Sequence, residues 1–409
     1  MKHIGTMQIP ELLPSQALGK IASSFYYVHY ETLVEELLEF IKERGEEIPA
    51  FGVVNDKMEP IGLIDQNQLT SLLSRPFGRD VLKNRSVKKI TMQRPSFKLR
   101  EHILVVSEYL AEALSSKEES VFIIIDEAGH FCGTFSTLDL LTFLSDLSRK
   151  DIDLAHNVQK RIVQERQAVL TTHLEVVASS TTAKGVGGDF YAVKKIGDST
   201  WFITICDVSG KGVAASIVTA MLHGSVETFD FSRHNLVDFV THVNRSVFST
   251  FEGDKFLTGI FLVFDEKSGR ITILDMGHSY FGLLRGQKLL KVVTSNENLP
   301  IGITPQIEPK PSTFTLLRKD ILILVTDGLT EQQNLDGQEY SMTRLFSVIK
   351  TYREEGPESI RDHIRRDFNR FRGDAPYHDD VTFLIFRYPD AKEVEMDLSP
   401  EQTMQWEIA

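Results

Sequence analysis

Residues 201–216 read WFITICDVSGKGVAAS and join an apolar run to a turn that begins with an aspartate. The run WFITIC is short and apolar, which is typical of a buried strand. Asp207 follows the run directly, and Gly210 and Gly212 come soon after it. Glycines beside a carboxylate let the backbone bend tightly and let a ligand come close. This stretch predicts an acidic side chain presented at the end of a strand.

Three further motifs repeat this arrangement. Asp189 lies in GVGGDFY before an apolar strand, Asp327 directly follows ILILVT, and Asp379 and Asp380 directly precede VTFLIF. Strand ends at one edge of a sheet stack can converge, and converging carboxylates repel one another unless a cation neutralises them. Oxygen ligands without His or Cys favour Mg²⁺ or Mn²⁺. A single Asp-Gly pair is more often a simple turn, but four such motifs at strand ends favour a metal site.

Other motif interpretations explain less of the sequence. GVGGDF has Phe190 in place of the third glycine of a dinucleotide fingerprint, and SGKGVA lacks the Ser or Thr that follows the lysine of a Walker A loop. GGDFY is similar in part to the GGDEF signature of diguanylate cyclases but lacks its glutamate. A cyclase would also leave the three later aspartate motifs unexplained.

Six motifs occur in a characteristic order: GVGGDFY, CDVSGKGVAAS, DMGHS, LPIGI, VTDGLTEQQNLDGQEY and DDVTFLIF. This ordered string, over residues 172–388, resembles the SpoIIE/RsbU-type phosphatases, which are bacterial members of the PPM class of metal-dependent protein phosphatases. The resemblance implies an α/β/β/α sandwich with two Mn²⁺ or Mg²⁺ ions in a cleft. Two such ions can share a water, lower its pKa and neutralise charge on a transferring phosphoryl group.

The resemblance also implies roles for individual residues. The first ion is predicted to be held by Asp189, by Asp207 and by the main-chain carbonyl of Val208, and Asp207 is predicted to bridge the two ions. The second ion is predicted to be held by Asp327 and Asp379, with Asp380 as a further candidate. The predicted catalytic residues are these aspartates other than Asp380. His278 in DMGHS is predicted to be structural, with proton donation as the alternative.

The substrate implied by the resemblance is phosphoserine or phosphothreonine on a STAS-domain anti-sigma-factor antagonist. Removing that phosphate would switch on a partner-swapping cascade. The alternative is a catalytically silent, phosphatase-like scaffold in such a pathway. The full set of retained carboxylates speaks against the scaffold.

Residues 18–146 show an internal repeat, in which the order helix, strand, strand, helix occurs twice. The strand pairs are AFGVVN with PIGLID, and VFIIID with HFCGTFS. The repeat resembles a tandem CBS-domain pair, an α/β regulatory module that often binds adenine nucleotides. That resemblance implies contacts from Ser136 and Asp139 to phosphate and ribose, whereas the first copy has Asp65 and Gln68 there. The alternative is that Ser136 and Asp139 cap a helix.

Residues 147–171 contain no Gly and no Pro and are predicted to form a coupling helix. Apolar residues form a stripe along one face of this helix and of the end of the preceding helix. Asp151 interrupts this stripe. The members of the stripe are Leu140, Leu144, Leu147, Leu154, Val158, Ile162 and Val169. Such a stripe favours a coiled-coil homodimer, and the alternative is a helix packed on its own domains.

The whole chain of 409 residues is thus predicted to be α+β, with an N-terminal segment (1–17), the repeat module (18–146), the coupling helix (147–171), the phosphatase domain (172–390) and an acidic tail (391–409). The net charge of -12 argues against a nucleic-acid partner. No stretch approaches the roughly 20 apolar residues of a membrane span, and the N-terminus does not resemble a signal peptide. We therefore expect a cytoplasmic protein in which Cys132 and Cys206 are buried free thiols.

Overall fold

The computed structural model describes residues 3–9, 12–45, 48–113, 121–183 and 185–390. The chain divides into two compact units, Met1–Arg149 and Lys150–Ala409. The predicted acidic tail, 391–409, lies outside the described residues. Within the described ranges, no helix is both long enough and apolar enough to cross a membrane.

The first unit contains two small sheets with helices around them. Its strands are β1 (Ile4–Thr6), β2 (Tyr26–His29), β3 (Ala50–Val54), β4 (Pro60–Asp65), β5 (Ser96–Lys98), β6 (Val121–Ile125) and β7 (Phe131–Ser136). Its helices are α1 (Val34–Arg44), α2 (Gln66–Leu73), α3 (Gly78–Leu82), α4 (Ile103–Ala113) and the beginning of α5 (Thr137–Ile162). Short 3-10 helices cover Leu18–Ile21 and Val87–Lys89. The strand orders are β1-β2-β3-β4 and β5-β6-β7.

The internal repeat is confirmed. In the first copy β2 is parallel to β3 and β3 is antiparallel to β4, and in the second copy β5, β6 and β7 pair in the same way. The register shifts at the equivalent place in both copies, at Val53/Val54 and at Ile124/Ile125. Each copy also has a short strand before its first helix that the sequence analysis missed. The N-terminal segment is not separate from this module, because β1 pairs with β2.

The two copies share a core. Val54 and Leu63 of the first copy form one buried cluster with Ile123 and Phe131 of the second. Gly52 shows how closely they meet, because a Cβ atom there would lie 2.1 Å from the ring of Phe131. Neither small sheet could bury this surface alone, so the copies complete each other's core as predicted.

Helix α5 corrects the prediction of a coupling helix over 147–171. The helix begins at Thr137, runs for 26 residues and ends at Ile162. Residues Arg166–Leu170 instead form strand β8, which pairs with the following strand. Ala168 packs on one face of that sheet and Val169 on the other, and this period of two suits a strand and not a helix.

The predicted apolar stripe is also divided. Leu140 is buried in the core of the first unit, and Ile162 packs against a core of the second. Leu154 and Val158 remain 65% and 49% exposed. Only the middle of the stripe is therefore open to a partner, while its ends are used within the chain.

The second unit contains two larger antiparallel sheets. One has the order β10-β11-β12-β13-β16 and the other β15-β14-β17-β18-β9-β8. Its strands after β8 are β9 (Glu175–Thr181), β10 (Phe190–Lys195), β11 (Thr200–Val208), β12 (Leu257–Asp265), β13 (Arg270–Met276), β14 (Phe281–Arg285), β15 (Lys288–Leu290), β16 (Ser312–Thr315), β17 (Ile321–Val325) and β18 (Val381–Arg387). Its helices after α5 are α6 (Val213–Thr228), α7 (Leu236–Phe251), α8 (Asp327–Thr330), α9 (Met342–Tyr352) and α10 (Pro357–Arg372).

The strands of this unit alternate between two cores, since successive side chains point to opposite faces. In β11, Ile203 and Ile205 enter the core between the two sheets, while Phe202 and Cys206 enter the core beneath α6 and α7. In β9, Val177 faces instead the core beneath α9 and α10. Two sheets packed face to face with a helical layer outside each give the α/β/β/α sandwich that the motif string implied.

Candidate active site

The predicted aspartates all lie at strand ends of the second unit. Asp207 is the penultimate residue of β11, and Asp189 directly precedes β10 in the same five-stranded sheet. Asp327 begins α8 shortly after β17, and Asp380 directly precedes β18 in the six-stranded sheet. Both sheets thus contribute acidic side chains, and hydrogen bonds between these segments show that they meet.

Thr326 connects the two sheets. Its hydroxyl donates a hydrogen bond of 2.9 Å to Oδ2 of Asp189 and accepts one of 3.0 Å from the amide of Thr382. Asp189 is only 4% exposed. Burial, followed by the charges of Asp207 and Asp380, raises the pKa of Asp189 well above its usual range. A carboxylate held in this way would gain from a nearby cation.

Asp380 anchors the glycine-rich loop before β10. Its Oδ1 accepts a hydrogen bond of 2.8 Å from the amide of Ala183, and its Oδ2 accepts one of 2.7 Å from the amide of Gly188. A Cβ atom at Gly187 would lie 2.1 Å from Oδ2. Both oxygens of Asp380 therefore hold backbone in place, so its role as a metal ligand stays a prediction.

Negative charge accumulates around Asp207 and Asp327. Burial raises the pKa of Asp207 to about 7, with further contributions from Asp327, Asp379 and Asp380. Burial, Glu331 and Asp379 raise the pKa of Asp327 in the same direction. These carboxyl groups are close enough to disfavour one another's ionised forms, and this is the electrostatic condition that a bound cation relieves.

Two close approaches at glycine shape the site. A Cβ atom at Gly328 would lie 1.9 Å from the carbonyl oxygen of Asp380, so only glycine lets α8 begin beside the 379–380 pair. A Cβ atom at Gly188 would lie 2.8 Å from the carbonyl oxygen of Val208. The main-chain carbonyl that the motif string assigned to the first ion therefore faces the loop that carries Asp189.

Lys211 is a member of the site that the sequence analysis missed. Its ammonium lies 3.0 Å from Oδ1 of Asp379 and donates a hydrogen bond of 2.7 Å to the carbonyl of His378. Its charge also opposes the rise in the pKa of Asp207 and of Asp327. The signal was present in SGKGVA, where the lysine stands between two glycines with positive φ, Gly210 and Gly212.

The donors fit Mg²⁺ or Mn²⁺ chemically. They are carboxylate and carbonyl oxygens, they repel one another, and they include no His or Cys. In the part of the chain that the structure describes, however, no three His, Cys, Asp or Glu side chains are grouped tightly enough to hold an ion by themselves. An ion bound here would therefore need main-chain oxygens, water molecules or a movement of the acidic side chains to complete its coordination.

His278 has the contacts expected of a structural residue. It is 3% exposed, its Nε2 donates to the carbonyl of Val325 at 2.6 Å, and its Nδ1 accepts from the hydroxyl of Thr258 at 3.1 Å. Burial lowers the pKa of His278. Both ring nitrogens of the neutral imidazole are thus satisfied internally. Cys132 and Cys206 are confirmed as buried free cysteines.

Ser136 and Asp139 form a reciprocal helix cap at the start of α5. Oδ2 of Asp139 accepts from the amide and from the hydroxyl of Ser136, each at 2.7 Å, and Oγ of Ser136 accepts from the amide of Asp139 at 3.1 Å. Asp65 caps α2 without a reciprocal bond, since its side chain accepts from the amides of Asn67 and Gln68. These contacts support the capping alternative, and nucleotide contact by the pair stays a prediction.

The first unit also has a polar cavity of about 370 Å³ away from that cap. It is lined by Tyr30, Asn55, Asp56, Ile61, Lys88, Thr91 and Gln93. Ser136 and Asp139 do not line it. The cavity and the capped helix start are therefore two different candidate ligand positions in the repeat module.

A family model matches within the second unit, and several known proteins are similar to this chain. Residues 197–389 match the family model described as Stage II sporulation protein E (SpoIIE). This stretch of the second unit is similar to SpoIIE-type phosphatase domains. Phosphoserine phosphatase RsbU of Bacillus subtilis (strain 168) is 24% identical to this chain over 244 residues, which cover 58% of this chain and 70% of RsbU. Phosphoserine phosphatase RsbP of the same organism is 20% identical over 242 residues, which cover 58% of each protein.

A solved structure has a fold similar to that of a large part of this chain. The SiaA-PP2C domain of Pseudomonas aeruginosa superposes with a TM-score of 0.51 at 15% sequence identity and covers 60% of this chain and 98% of that domain. At this sequence identity, the similarity is evidence for the fold alone. Since the matched region spans only 58% of the length of RsbP, the activity, substrate and partners of the whole protein are matters for proposal.

Proposed function

We propose that this protein is a metal-dependent protein serine/threonine phosphatase of the PPM class. The observation that carries the proposal is the meeting of Asp189, Asp207 and Asp327 at the strand ends of two packed sheets, where burial and neighbouring carboxylates raise the pKa of each. The family match of the domain supports the same reaction.

The residues of this chain supply the ion-binding groups and their support. Asp189, Asp207, Asp327, Asp379 and the carbonyl of Val208 are the proposed ligands, with Asp380 as a further candidate. Two bound Mn²⁺ or Mg²⁺ ions would supply a hydroxide from a shared water and would neutralise the phosphoryl group. Thr326 orients Asp189, and Asp380 holds the loop that carries it. In the absence of ions, the Lys211 ammonium partly offsets the charge of Asp379.

Phosphate release tests the proposal. A phosphoserine peptide is incubated with the full chain with and without Mn²⁺, and wild type is compared with Asp327→Asn. Asp336→Asn is the matched control, because Asp336 lies in an exposed turn later in the same motif. We expect Mn²⁺-dependent release from wild type and from the control, and none from Asp327→Asn. Equal release from Asp327→Asn would exclude this site as the catalytic centre.

The proposed substrate is a phosphorylated STAS-domain anti-sigma-factor antagonist in the cytoplasm. The support is the similarity to two proteins described as phosphoserine phosphatases, RsbU and RsbP. Dephosphorylation of a phosphorylated STAS-domain protein should be much faster than that of an unrelated phosphoserine protein at the same concentration. Equal rates would remove the STAS assignment while leaving the phosphatase assignment in place.

The first unit is proposed to be a tandem CBS pair that binds an adenine nucleotide and regulates turnover. Its support is the repeated topology and the core that the copies share. Addition of AMP, ADP or ATP over a wide concentration range should change either the turnover or the Mn²⁺ concentration that gives half-maximal activity. No change in either quantity would reject this regulation.

Dimerisation through α5 is proposed for the middle of that helix. Leu154 and Val158 lie one turn apart and stay largely exposed. The full chain should have the mass of a dimer by light scattering, and Leu154→Glu should shift it to a monomer. A monomeric wild type would reject the homodimer.

A catalytically silent scaffold is the second candidate. It is favoured by the lack of a preformed group of three metal-ligating side chains among the described residues. Phosphate release separates the candidates, because a scaffold would release none under any metal condition. Repeating that assay with the partner protein present would show whether a partner completes the site.

A further inference from the structure

Gln332 is a buried glutamine in the stretch of chain that follows Asp327. It is 0% exposed, and a buried glutamine needs partners for its amide. Its Oε1 accepts a hydrogen bond of 3.2 Å from the amide of His378, and its Nε2 donates one of 3.0 Å to the carbonyl of Pro376. The side chain therefore holds two polar groups of the segment that leads to Asp379.

The backbone of Gln332 is itself fixed. Its carbonyl accepts a hydrogen bond of 3.0 Å from the amide of Tyr340, and its Nε2 donates a second bond, of 2.8 Å, to the carbonyl of Gln333. Tyr340 is fully buried and donates its hydroxyl to Asp367. The amide of Gln332 thus projects from an ordered part of the core and gives residues 376–378 a fixed reference.

Gln332 joins two stretches of chain that carry proposed ligands of the same ion. It follows α8, which begins with Asp327, and its partner His378 directly precedes Asp379. The hydrogen bond between Gln332 and His378 spans 46 residues of sequence. A Cβ atom at Gly328 would lie 3.1 Å from Cβ of Asp379, so the two stretches are in contact. The glutamine amide therefore helps to set the distance between the two carboxylates.

The carbonyl of His378 is held from another side by a charged and more exposed residue. Lys211 donates a hydrogen bond of 2.7 Å to that carbonyl, but its side chain is 41% exposed and its ammonium also contacts Asp379. An ion that binds Asp379 would compete with the ammonium for the carboxylate. Gln332 carries no charge, so its contact with His378 does not depend on such competition.

We propose that Gln332 is a positioning residue that sets the affinity of the second ion by fixing the separation of Asp327 and Asp379. The inference rests on the proposed function, since it takes both aspartates as ligands of that ion. Without the glutamine amide, residues 376–378 lose these partners and can move relative to Asp327. Partners that orient a metal ligand commonly change metal affinity about 10–100-fold when they are removed.

The effect should be confined to one ion. The hydrogen bonds of Gln332 described above lie beside Asp327 and Asp379, and none of them reaches the loop that carries Asp189. We therefore expect the first ion to bind as it does in wild type. This selectivity separates positioning of the second ion from a general loss of structure.

The test is calorimetric titration of the full chain with Mn²⁺. Gln332→Met keeps the approximate length of the side chain and removes its hydrogen bonds, and Gln332→Leu is a second variant with the same loss. Gln338→Leu is the matched control, because Gln338 is exposed and its side chain accepts a bond from Asn334 of the same turn. Both Gln332 variants should bind one ion as wild type does and the other about tenfold or more weakly, while the control stays within about twofold of wild type.

Two further readouts add to the binding measurement. Phosphate release by the Gln332 variants should recover at saturating Mn²⁺, so that the effect lies in the metal requirement and not in the maximal rate. Hydrogen exchange of the 377–379 amides should become faster in the metal-free variants, while exchange in β11 and β12 stays unchanged. This second measurement needs no metal and no activity.

The outcomes distinguish the inference from the function on which it rests. Wild-type binding of both ions, or wild-type exchange, in both Gln332 variants would overturn the inference and leave the proposed function in place. So would equal weakening of both ions, a lower maximal rate with unchanged Mn²⁺ affinity, or global unfolding of both variants. If wild type itself bound no Mn²⁺ and released no phosphate, the proposed function would fail and the inference would fail with it.

Discussion

The hydroxyl of Thr326 donates a hydrogen bond to the carboxylate of Asp189 across a separation of 137 residues. Thr326 follows β17 in the six-stranded sheet, and Asp189 precedes β10 in the five-stranded sheet. The contact therefore joins the two layers at the edge where the acidic residues gather. It makes the candidate site a property of the assembled sandwich and not of either sheet alone.

Replacing Thr326 by valine should weaken both the fold and the site. The variant keeps the shape but removes a donor to the buried Asp189 and an acceptor for the Thr382 amide. We expect a loss of about 1–3 kcal/mol in the free energy of unfolding and weaker Mn²⁺ binding, measured by urea denaturation and calorimetry. Thr351→Val is the control, because its hydroxyl is exposed and bonds only within α9. Equal effects of the two substitutions would contradict the special role of Thr326.

Two glycine-to-alanine substitutions should act in opposite directions. At Gly328 a Cβ atom would lie 1.9 Å from the backbone oxygen of Asp380, so alanine should destabilise the protein by about 1–3 kcal/mol and abolish phosphate release. At Gly224, within α6, a Cβ atom meets nothing within 4 Å. Alanine there should stabilise by about 0.5–1 kcal/mol without changing activity. Thermal melts measure both, and a stable, active Gly328→Ala would show that the close approach is not required.

The Arg344–Asp367 pair should make stability depend on pH. The guanidinium bonds both carboxylate oxygens at 2.8 and 2.9 Å, and Tyr340 donates to one of them. These hydrogen bonds lower the pKa of Asp367 in the folded protein. Because the folded pKa lies below the unfolded value near 4, the pair contributes fully above about pH 4 and its contribution is lost as the pH falls through the folded pKa.

Arg344→Met tests this dependence by urea denaturation at several pH values. At neutral pH the variant should be less stable than wild type by about 1–3 kcal/mol. The difference should shrink as the pH is lowered below about 4. A difference that stays constant, or that grows, on acidification would contradict the assignment of the lowered pKa to this pair.

Neither cysteine should react in the native protein. Burial raises the pKa of the Cys206 thiol to about 12 and that of Cys132 to about 11, and the thiolate is the reactive form. Ellman's reagent at about pH 8 should label no thiol in the native chain and two after denaturation. Rapid labelling of Cys206 in the native protein would mean that the core beneath α6 and α7 opens.

The sequence predicted the parts of the fold that depend on local pattern. Runs such as WFITIC and VTFLIF became β11 and β18, because their length and composition suit buried strands. It also predicted which aspartates lie at strand ends. The predicted end of the helix was wrong. Residues 166–170, like the helix before them, contain no Gly or Pro, but they pair with β9 and form a strand.

The supporting residues could not be predicted in the same way. Gln332 looks like any polar residue in a loop, and its role follows from a hydrogen bond to His378, 46 residues away. Lys211 and Asp380 act through contacts over more than 160 residues of sequence. SGKGVA and DDVTFLIF mark the positions of Lys211 and Asp380, but the contacts that define their roles come from tertiary packing and cannot be read from the local sequence.

The most direct test of the central claim is a calorimetric titration of wild type and Asp207→Asn with Mn²⁺. Asp207 is the proposed bridging ligand, and Asp198→Asn serves as the control because Asp198 is exposed in the turn between β10 and β11. We expect that wild type and Asp198→Asn bind two ions and that Asp207→Asn loses that binding together with phosphate release. Unchanged Mn²⁺ binding in Asp207→Asn would contradict a metal centre at these strand ends.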